Sequence, residues 1–377
     1  MFFKQHGISY ELSLRQKLVH MNWGLVLLII CIASIGILAL YSSANGNMHP
    51  WASTQLKRMI VCLSLMFLIA VVDIRFWHRI AYLPYIGCLV LLLCVEFIGQ
   101  VGMGAQRWID IGGVQIQPSE LMKIAMIMIL ARYFHAVGEE NANNIMLLFW
   151  PLLLAGIPIF LVSIQPDLGT AIMLTFNAGA MFFIGGAPLW IFIGVIILGA
   201  GSVPVIWQFL HDYQKDRILT FLNPESDPLG AGYHILQSKI ALGSGGIDGK
   251  GFLQGTQSHL NFLPEKQTDF IFTLWAEEWG LFGGLFILLL MGLVILYGHI
   301  ISYRCISKFS KLLVIGLTIN FSLYVMVNIA MVMGVIPVVG APLPLVSYGG
   351  TSMLAVMAGF GLVLSASIHR DAKVPRI

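Results

Sequence analysis

The chain has 377 residues, of which 58% are hydrophobic and only 10% are charged. Soluble domains carry about 25% charged residues, so this composition excludes an ordinary soluble domain. The net charge of +3, without any basic run, gives no indication of nucleic-acid binding. With a mean hydropathy of +0.85, the sequence predicts an all-α polytopic membrane protein.

Lys4, Arg15 and Lys17 precede a long apolar run that starts at Trp23. The run covers about 20 residues, whereas the apolar part of a secretory signal covers about 7–15, so we expect a retained first span. Ten apolar segments predict membrane spans, at 23–42, 56–72, 80–98, 121–134, 145–164, 168–185, 188–209, 281–301, 312–335 and 351–368. The fourth segment is shorter than the ~17 residues usually needed, so its helix must also include residues 118–120.

The ten spans predict a single domain, 1–377, with one long loop, 210–280, between the seventh and eighth spans. Twelve Lys and Arg residues lie in or beside the short segments on the side of the termini, against three on the other side. Positive charge favours the cytoplasmic side, so we expect both termini in the cytoplasm and the long loop outside. The five cysteines show no pairing or metal-binding spacing, and no disulfide is expected.

The segment before the fourth span contains Arg107 and Trp108, and Pro118 suits the first turn of the helix that follows. Glu120 lies in that first turn, with Lys123 three residues further on. A charged pair inside a membrane is costly unless it lines a cavity, so the pair is a candidate binding site. The alternative is an internal salt bridge that only fixes packing.

The sixth span begins in a similar way, with Gln165-Pro166-Asp167 directly before it. Two helix N-termini would then direct N–H groups and positive dipole ends to the outer face, where they could bind an anion such as a phosphate. Ordinary helix capping by Asp167 is the alternative.

The long loop contains a predicted short amphipathic helix, 229–242, that would lie at the membrane interface. Its Lys239 is a candidate contact for an anion. The glycine-rich run 243–251 fails the P-loop pattern, because Ser244 occupies the first glycine position and Gly251 replaces the final Ser or Thr. We interpret this run as a tight re-entrant turn.

Asp269 lies where the long loop becomes an apolar helix, with Thr268 beside it as a candidate N-cap. A carboxylate near lipid must be solvated, paired or used in chemistry, whereas the alternative role is helix capping. Four more charged residues crowd the same segment: Glu265, Lys266, Glu277 and Glu278. On one helix Asp269 and Glu277 would lie ~12 Å apart, too far for the carboxylate pair of a glycosidase, so Asp269 would act as a single base.

The stretch Val338–Ser352 contains prolines and glycines that preclude a regular helix. Irregular backbone at membrane depth is tolerated only where protein or a wet cavity covers it. We therefore expect this stretch to border the same outer cavity as Asp269.

Together these segments resemble the SEDS family of cell-wall polymerases over nearly the whole chain. The resemblance rests on GAQRWIDIG, QPSELMKIA, QPDLGTA, NPESDPLGAGYHILQSKIALGSGGIDGKG, FLPEKQTDFIF and GVIPVVGAPLPLVSYGG, in this order. The absence of a lysine between Val338 and Pro342 is typical of the rod-shape branch rather than the division branch. Gln267 departs from the His that often precedes the Thr-Asp pair, which weakens a mechanism that needs a proton relay there.

The resemblance implies ten helices in the cytoplasmic (inner) membrane and a glycosyltransferase that polymerises lipid II into peptidoglycan during elongation. It implies that Asp269 is the essential aspartate. It also implies a binding cavity lined or bordered by matching motif positions, namely Trp108, Glu120, Lys123, Asp167 and Lys239. It further implies a partner transpeptidase, a class B penicillin-binding protein, in a complex with other elongation proteins of the membrane.

The residues agree with this chemistry. Helix N-termini with Lys123 and Arg107 suit a pyrophosphate, and one carboxylate suits deprotonation of a sugar hydroxyl. A divalent cation, Mg²⁺ or Mn²⁺, could help to neutralise the pyrophosphate, although no metal motif is present. The chain lacks the Ser-x-x-Lys, Ser-Asp-Asn and Lys-Thr-Gly motifs of serine transpeptidases.

Two alternatives come from other classes of protein. A lipid II flippase would place its binding charges near the midplane between repeated halves, whereas these charges cluster at the outer face and no repeat is seen. A non-catalytic scaffold does not explain buried charge that costs stability.

Overall fold

The structure, a computed structural model, describes residues 12–102, 105–112, 114–138, 145–165, 167–209, 215–216, 219–221, 223, 231–260, 262–263 and 265–376. In this part of the chain the apolar runs form helices, which satisfy their backbone polar groups internally. The helices are α1 Leu14–His20, α2 Trp23–Ser43, α3 Trp51–Val71, α4 Ile74–Ile80, α5 Tyr82–Ile98, α6 Pro118–Val137, α7 Ile145–Ile164, α8 Leu168–Gly185, α9 Leu189–Phe209, α10 Ala231–Gly245, α11 Thr256–His259, α12 Ile271–Arg304, α13 Lys308–Val332 and α14 Gly350–Ile368.

Each predicted span coincides with a helix, and α6 begins at Pro118 as its short apolar run requires. By length and apolarity, seven helices within the described residues could cross a membrane, or eight if the bent pair α4 and α5 forms one span. The protein is therefore an all-α polytopic membrane protein. The count of ten spans remains a prediction.

The helices pack closely where small residues face a neighbour, as is usual between helices in membranes. A Cβ added at Gly361 of α14 would lie 2.7 Å from Ile69 of α3. A Cβ added at Gly36 of α2 would lie 2.7 Å from the Cα of Val346. These two glycines allow α2 and α3 to approach the irregular segment 333–349 and the helix that follows it.

The bundle has two different ends. At one end, Lys17 of α1 donates to the carbonyl of Val71 at 2.8 Å, and Ser365 of α14 donates to that of Val72 at 2.7 Å. The described beginning and end of the chain therefore lie together. The other end carries α10, α11, the segment 333–349 and a small sheet, and we call it the Asp269 end.

The small sheet at the Asp269 end was not predicted from the sequence. Its antiparallel strands are β1 Gln100–Gly102, β2 Ala105–Ile111 and β3 Val114–Ile116, in the order β1-β2-β3. Ile109 pairs with Ile116 across β2 and β3. Two of the strands have only three residues, and runs this short give a weak sequence signal.

The predicted helix of the long loop is present as α10 from Ala231, with residues 229–230 outside the described part of the chain, and the glycine-rich residues after it form a tight turn. The position of both at the membrane interface remains a prediction. This turn packs on a break in α12 at Gly280, whose φ of 65° is not helical. Leu281 N donates to the carbonyl of Gly246 at 3.0 Å, and Lys250 N donates to that of Glu277 at 3.1 Å. A Cβ at Gly249 would lie 2.1 Å from the carbonyl oxygen of Glu278, so the glycines allow two backbones to touch.

Candidate functional site

Asp269 lies in a turn, 265–270, directly before α12. The predicted capping role of Thr268 is wrong, because α12 begins at Ile271 and Phe270 occupies the N-cap position without a side-chain hydrogen bond. The hydroxyl of Thr268 instead donates back to the carboxylate of Glu265 at 2.9 Å. Asp269 is half-buried and does not cap the helix that it precedes.

The turn that carries Asp269 is held by main-chain contacts. The side-chain amide nitrogen of Asn328 donates to the carbonyl of Asp269 at 2.9 Å. Ser347 Oγ donates to the carbonyl of Thr268 at 2.6 Å, and Tyr348 N donates to that of Gln267 at 2.8 Å. The stretch 338–352 therefore packs against the turn of Asp269, whereas the outer cavity that the two would share remains a prediction.

Glu120 and Lys123 form the predicted pair in the first turns of α6. Lys123 Nζ lies 2.7 Å from Glu120 Oε1, and the side chains of Lys123 and Glu120 are 1% and 6% exposed. Tyr324 of α13 completes the group, because its hydroxyl accepts from Lys123 and donates to the other oxygen of Glu120. Lys123 Nζ also lies 4.3 Å from the centre of the Tyr324 ring. These three side chains form a closed, mutually satisfied group.

Asp167 has the predicted capping role and also forms an ion pair, whereas anion binding at this helix start remains a prediction. Its Oδ1 accepts from Thr170 N at 3.3 Å, which caps α8. The same oxygen lies 3.6 Å from Arg107 Nη1, and Oδ2 accepts from Gln117 Nε2 at 3.2 Å. Asp167 thus joins the start of α8 to β2 and to the residue before α6. Trp108, next to Arg107 on β2, is half-buried.

The segment 333–349 connects the turn of Asp269 with the surroundings of Asp167. A Cβ at Gly169 would lie 2.7 Å from the carbonyl oxygen of Val339. A Cβ at Gly340 would lie 3.7 Å from Asp269 Oδ2. Gly169, two positions after Asp167, and Asp269 therefore border one continuous stretch of irregular backbone.

Lys239 lies on α10 and is exposed, with its side chain against Gly334 at the end of α13. Its neighbour Ser238 is hydrogen-bonded to Thr273 of α12 at 2.9 Å and to the carbonyl of Val332 at 2.8 Å. Within the described chain, no hydrogen bond or ion pair joins Lys239 to the other predicted site residues.

A buried carboxylate, Glu277, holds the loop that precedes the turn of Asp269, although it was not predicted as a site residue. It accepts from Lys250 Nζ at 2.8 Å, Gln257 N at 2.9 Å and Ser258 Oγ at 2.7 Å. Lys266 Nζ then donates to the carbonyl of Ser258 at 2.8 Å, and burial lowers the pKa of this lysine. Glu277 is thus engaged in contacts that hold the loop together.

Glu278 ties the same loop to the first long helix. Its Oε1 accepts from Ser42 at the end of α2 and lies 3.1 Å from His259 Nε2. The other ring nitrogen of His259 contacts the side chain of Asn45. The cluster of charged residues in the sequence pointed to both glutamates. It did not reveal their partners, which lie far away in the chain.

Charged groups gathered at one end of a helical bundle define a polytopic membrane protein with a polar site at that end. The chain belongs to the cell cycle protein family FtsW/RodA/SpoVE, whose pattern matches residues 16–372. The peptidoglycan glycosyltransferase MrdB of Escherichia coli K12 is 43% identical over 355 residues, which cover 93% of this chain and 95% of the relative.

Two solved structures share this fold. A chain from a peptidoglycan synthase complex, studied for the coordination of polymerization and crosslinking, has a TM-score of 0.78 at 32% identity and covers 93% of this chain and 98% of its own. The rod shape determining protein RodA of Thermus thermophilus has a TM-score of 0.69 at 28% identity and covers 93% of this chain and 98% of its own.

Proposed function

We propose that this protein is a peptidoglycan glycosyltransferase that polymerises lipid II into glycan strands during cell elongation. The observation that carries the proposal is the half-buried Asp269, fixed in a turn between α12 and the segment 333–349. The E. coli relative bears this activity in its name, and its similarity extends over nearly the whole chain.

In the proposed reaction, Asp269 is the general base. Its carboxylate takes the proton from a hydroxyl of the acceptor sugar, and that oxygen forms a bond to the anomeric carbon of the donor. The bond between this carbon and the pyrophosphate oxygen breaks. The leaving group, undecaprenyl pyrophosphate, departs as a stable anion, so no general acid is strictly required.

The residues proposed to bind the substrate, directly or through their charge, are Arg107, Trp108, Glu120, Lys123, Asp167 and Lys239. Arg107 is 18% exposed and lies where α8 begins, so it is the cation best placed for a pyrophosphate. Lys123 is paired with Glu120 and Tyr324. It therefore acts on the substrate at a distance, through its electric field and by fixing the position of α6.

A divalent cation, Mg²⁺ or Mn²⁺, remains part of the proposal. Within the described residues, no group of three His, Cys, Asp or Glu side chains is arranged to hold a metal ion. Mg²⁺ usually binds through one or two carboxylates together with substrate phosphates. The charge of such an ion would offset that of the pyrophosphate.

The alternative function is a lipid II flippase, and purified protein in detergent distinguishes the two. Detergent leaves no bilayer across which a lipid can be moved, so a flippase gives no signal. We expect glycan strands from fluorescent lipid II, and none from Asp269→Asn. Protein that is folded but produces no strands, alone or with its partner, contradicts the proposal.

We further propose that the protein lies in the cytoplasmic membrane with both termini inside, beside a class B penicillin-binding protein and other elongation proteins. A glycan strand gains strength only after its peptides are crosslinked, and this chain has no serine transpeptidase motif. The similar chain of known structure comes from a complex that joins polymerization to crosslinking. Co-purification from membranes, with polymerisation measured with and without the partner, tests this. Full activity alone with no recovered partner contradicts it.

A further inference from the structure

Asn328 lies on α13, one turn before the helix ends, and its side chain is 0% exposed. Its amide nitrogen donates to the carbonyl of Asp269 at 2.9 Å and to that of Ala341 at 2.7 Å. One side chain thus connects a regular helix, the turn of Asp269 and the irregular segment 333–349.

Both acceptors belong to backbone that is neither helix nor strand. Buried carbonyls of this kind need a hydrogen-bond partner, and near a membrane the partner must come from protein. The contact also fixes geometry, because Ala341 follows Gly340, whose Cβ position lies 3.7 Å from Asp269 Oδ2. If Asn328 moved, the distance between the Asp269 carboxylate and the backbone at Gly340 would change.

We infer that Asn328 is a positioning residue for Asp269, which it orients through the two carbonyls without contacting the substrate. The inference rests on the proposed role of Asp269 as general base. A carboxylate displaced by about 1 Å can lose about 100-fold in rate, whereas binding of a large lipid substrate depends on many other contacts. Loss of Asn328 should therefore lower kcat and leave KM nearly unchanged.

The same helix provides a matched control in Asn320, which lies two turns earlier. It is also buried, at 7% exposure, and its amide oxygen accepts from Asn177 at 2.9 Å. Asn320→Leu and Asn328→Leu both remove a buried amide from α13, but only the second removes a contact with the turn of Asp269.

The experiment measures initial polymerisation rates at several lipid II concentrations, with thermal unfolding in parallel. For Asn328→Leu we expect kcat to fall about 10–100-fold with KM within about twofold of the parent. For Asn320→Leu we expect kcat within about twofold of the parent, since a lost hydrogen bond there affects only stability. If Asn328→Leu does not fold, Asn328→Gln keeps the donor but moves it by one methylene, and kcat should fall at least about fivefold.

Three results would overturn the inference: parent-like kcat in the Asn328 variant, equal losses in the two Leu variants, or a rise in KM with kcat unchanged. Asp269→Asn, measured in the same series, separates the two claims. If that variant is inactive while Asn328→Leu is fully active, only the positioning role fails. If Asp269→Asn polymerises normally, the proposed base itself is wrong.

Discussion

Asp269 and Glu277 are carboxylates only eight positions apart in the chain, and the structure treats them differently. Glu277 is 0% exposed and accepts hydrogen bonds from Lys250, Gln257 and Ser258. Asp269 is half-buried, and its turn is held through main-chain carbonyls. Glu277 therefore stabilises a loop through its side chain, whereas Asp269 is fixed through the main chain of its turn.

Asp269→Asn gives the sharpest test of this comparison. The change is nearly isosteric and removes no contact of the Asp269 carbonyl, so the variant should fold and still bind lipid II. A general base contributes about 10²–10⁴ in rate, and polymerisation should fall by that factor. Rates are measured in detergent with fluorescent lipid II. Normal polymerisation would exclude Asp269 as the base.

A third carboxylate, Glu120, is tested by the substitution Lys123→Met, which removes its ion-pair partner. Removal of one partner from a buried ion pair typically costs about 3–5 kcal/mol, because the other charge remains uncompensated. We expect a marked loss of thermal stability, largely restored when Glu120→Gln is added. Lipid II affinity, measured on the folded double variant, then decides whether the charge of Lys123 contributes to binding. Equal affinity to the parent would leave this pair with a packing role alone.

Glu277→Gln should affect stability more than chemistry. It removes the ion pair with Lys250 and weakens the contacts to the start of α11, and a lost buried hydrogen-bond partner costs about 1–3 kcal/mol. We expect a lower unfolding temperature with kcat, per folded molecule, near that of the parent. A loss of kcat as large as that of Asp269→Asn would show that the enclosed carboxylate takes part in the reaction.

Lys239→Met should have the smallest effect, because this lysine is exposed. Exposed charge pairs contribute about 0.2–1 kcal/mol, so lipid II affinity should fall no more than about fivefold at low salt. The difference should disappear as salt is raised, since screening weakens exposed charges. Unchanged affinity at low salt would remove Lys239 from the substrate contacts.

The sequence predicted the helices well, because long apolar runs admit few other structures in a membrane. It also placed Asp269 correctly at the boundary between loop and helix. The cap at Thr268 was wrong because side-chain preference favours an N-cap there, whereas the tertiary fold lets Thr268 bond back to Glu265. The N-cap preference of a residue type does not reveal at which residue the helix begins in the tertiary fold.

Tyr324 and Asn328 were missed for a different reason. Each lies inside an apolar span, and their partners Lys123 and Asp269 are 201 and 59 positions away in the chain. Helix periodicity shows which residues share a face but not which helix that face meets. A polar residue within an apolar span is still a usable signal, because such residues are costly unless they have a partner.

The glycine-rich turn after α10 has a consequence for experiments that insert tags or follow hydrogen–deuterium exchange. Glycine-rich segments usually tolerate insertions, but tolerance depends on the hydrogen bonding of the backbone concerned. Here the amides of Lys250, Gly251 and Leu281 donate to carbonyls across the contact. These amides should exchange slowly with solvent, and an epitope placed between Gly245 and Gly251 should abolish assembly of the loop.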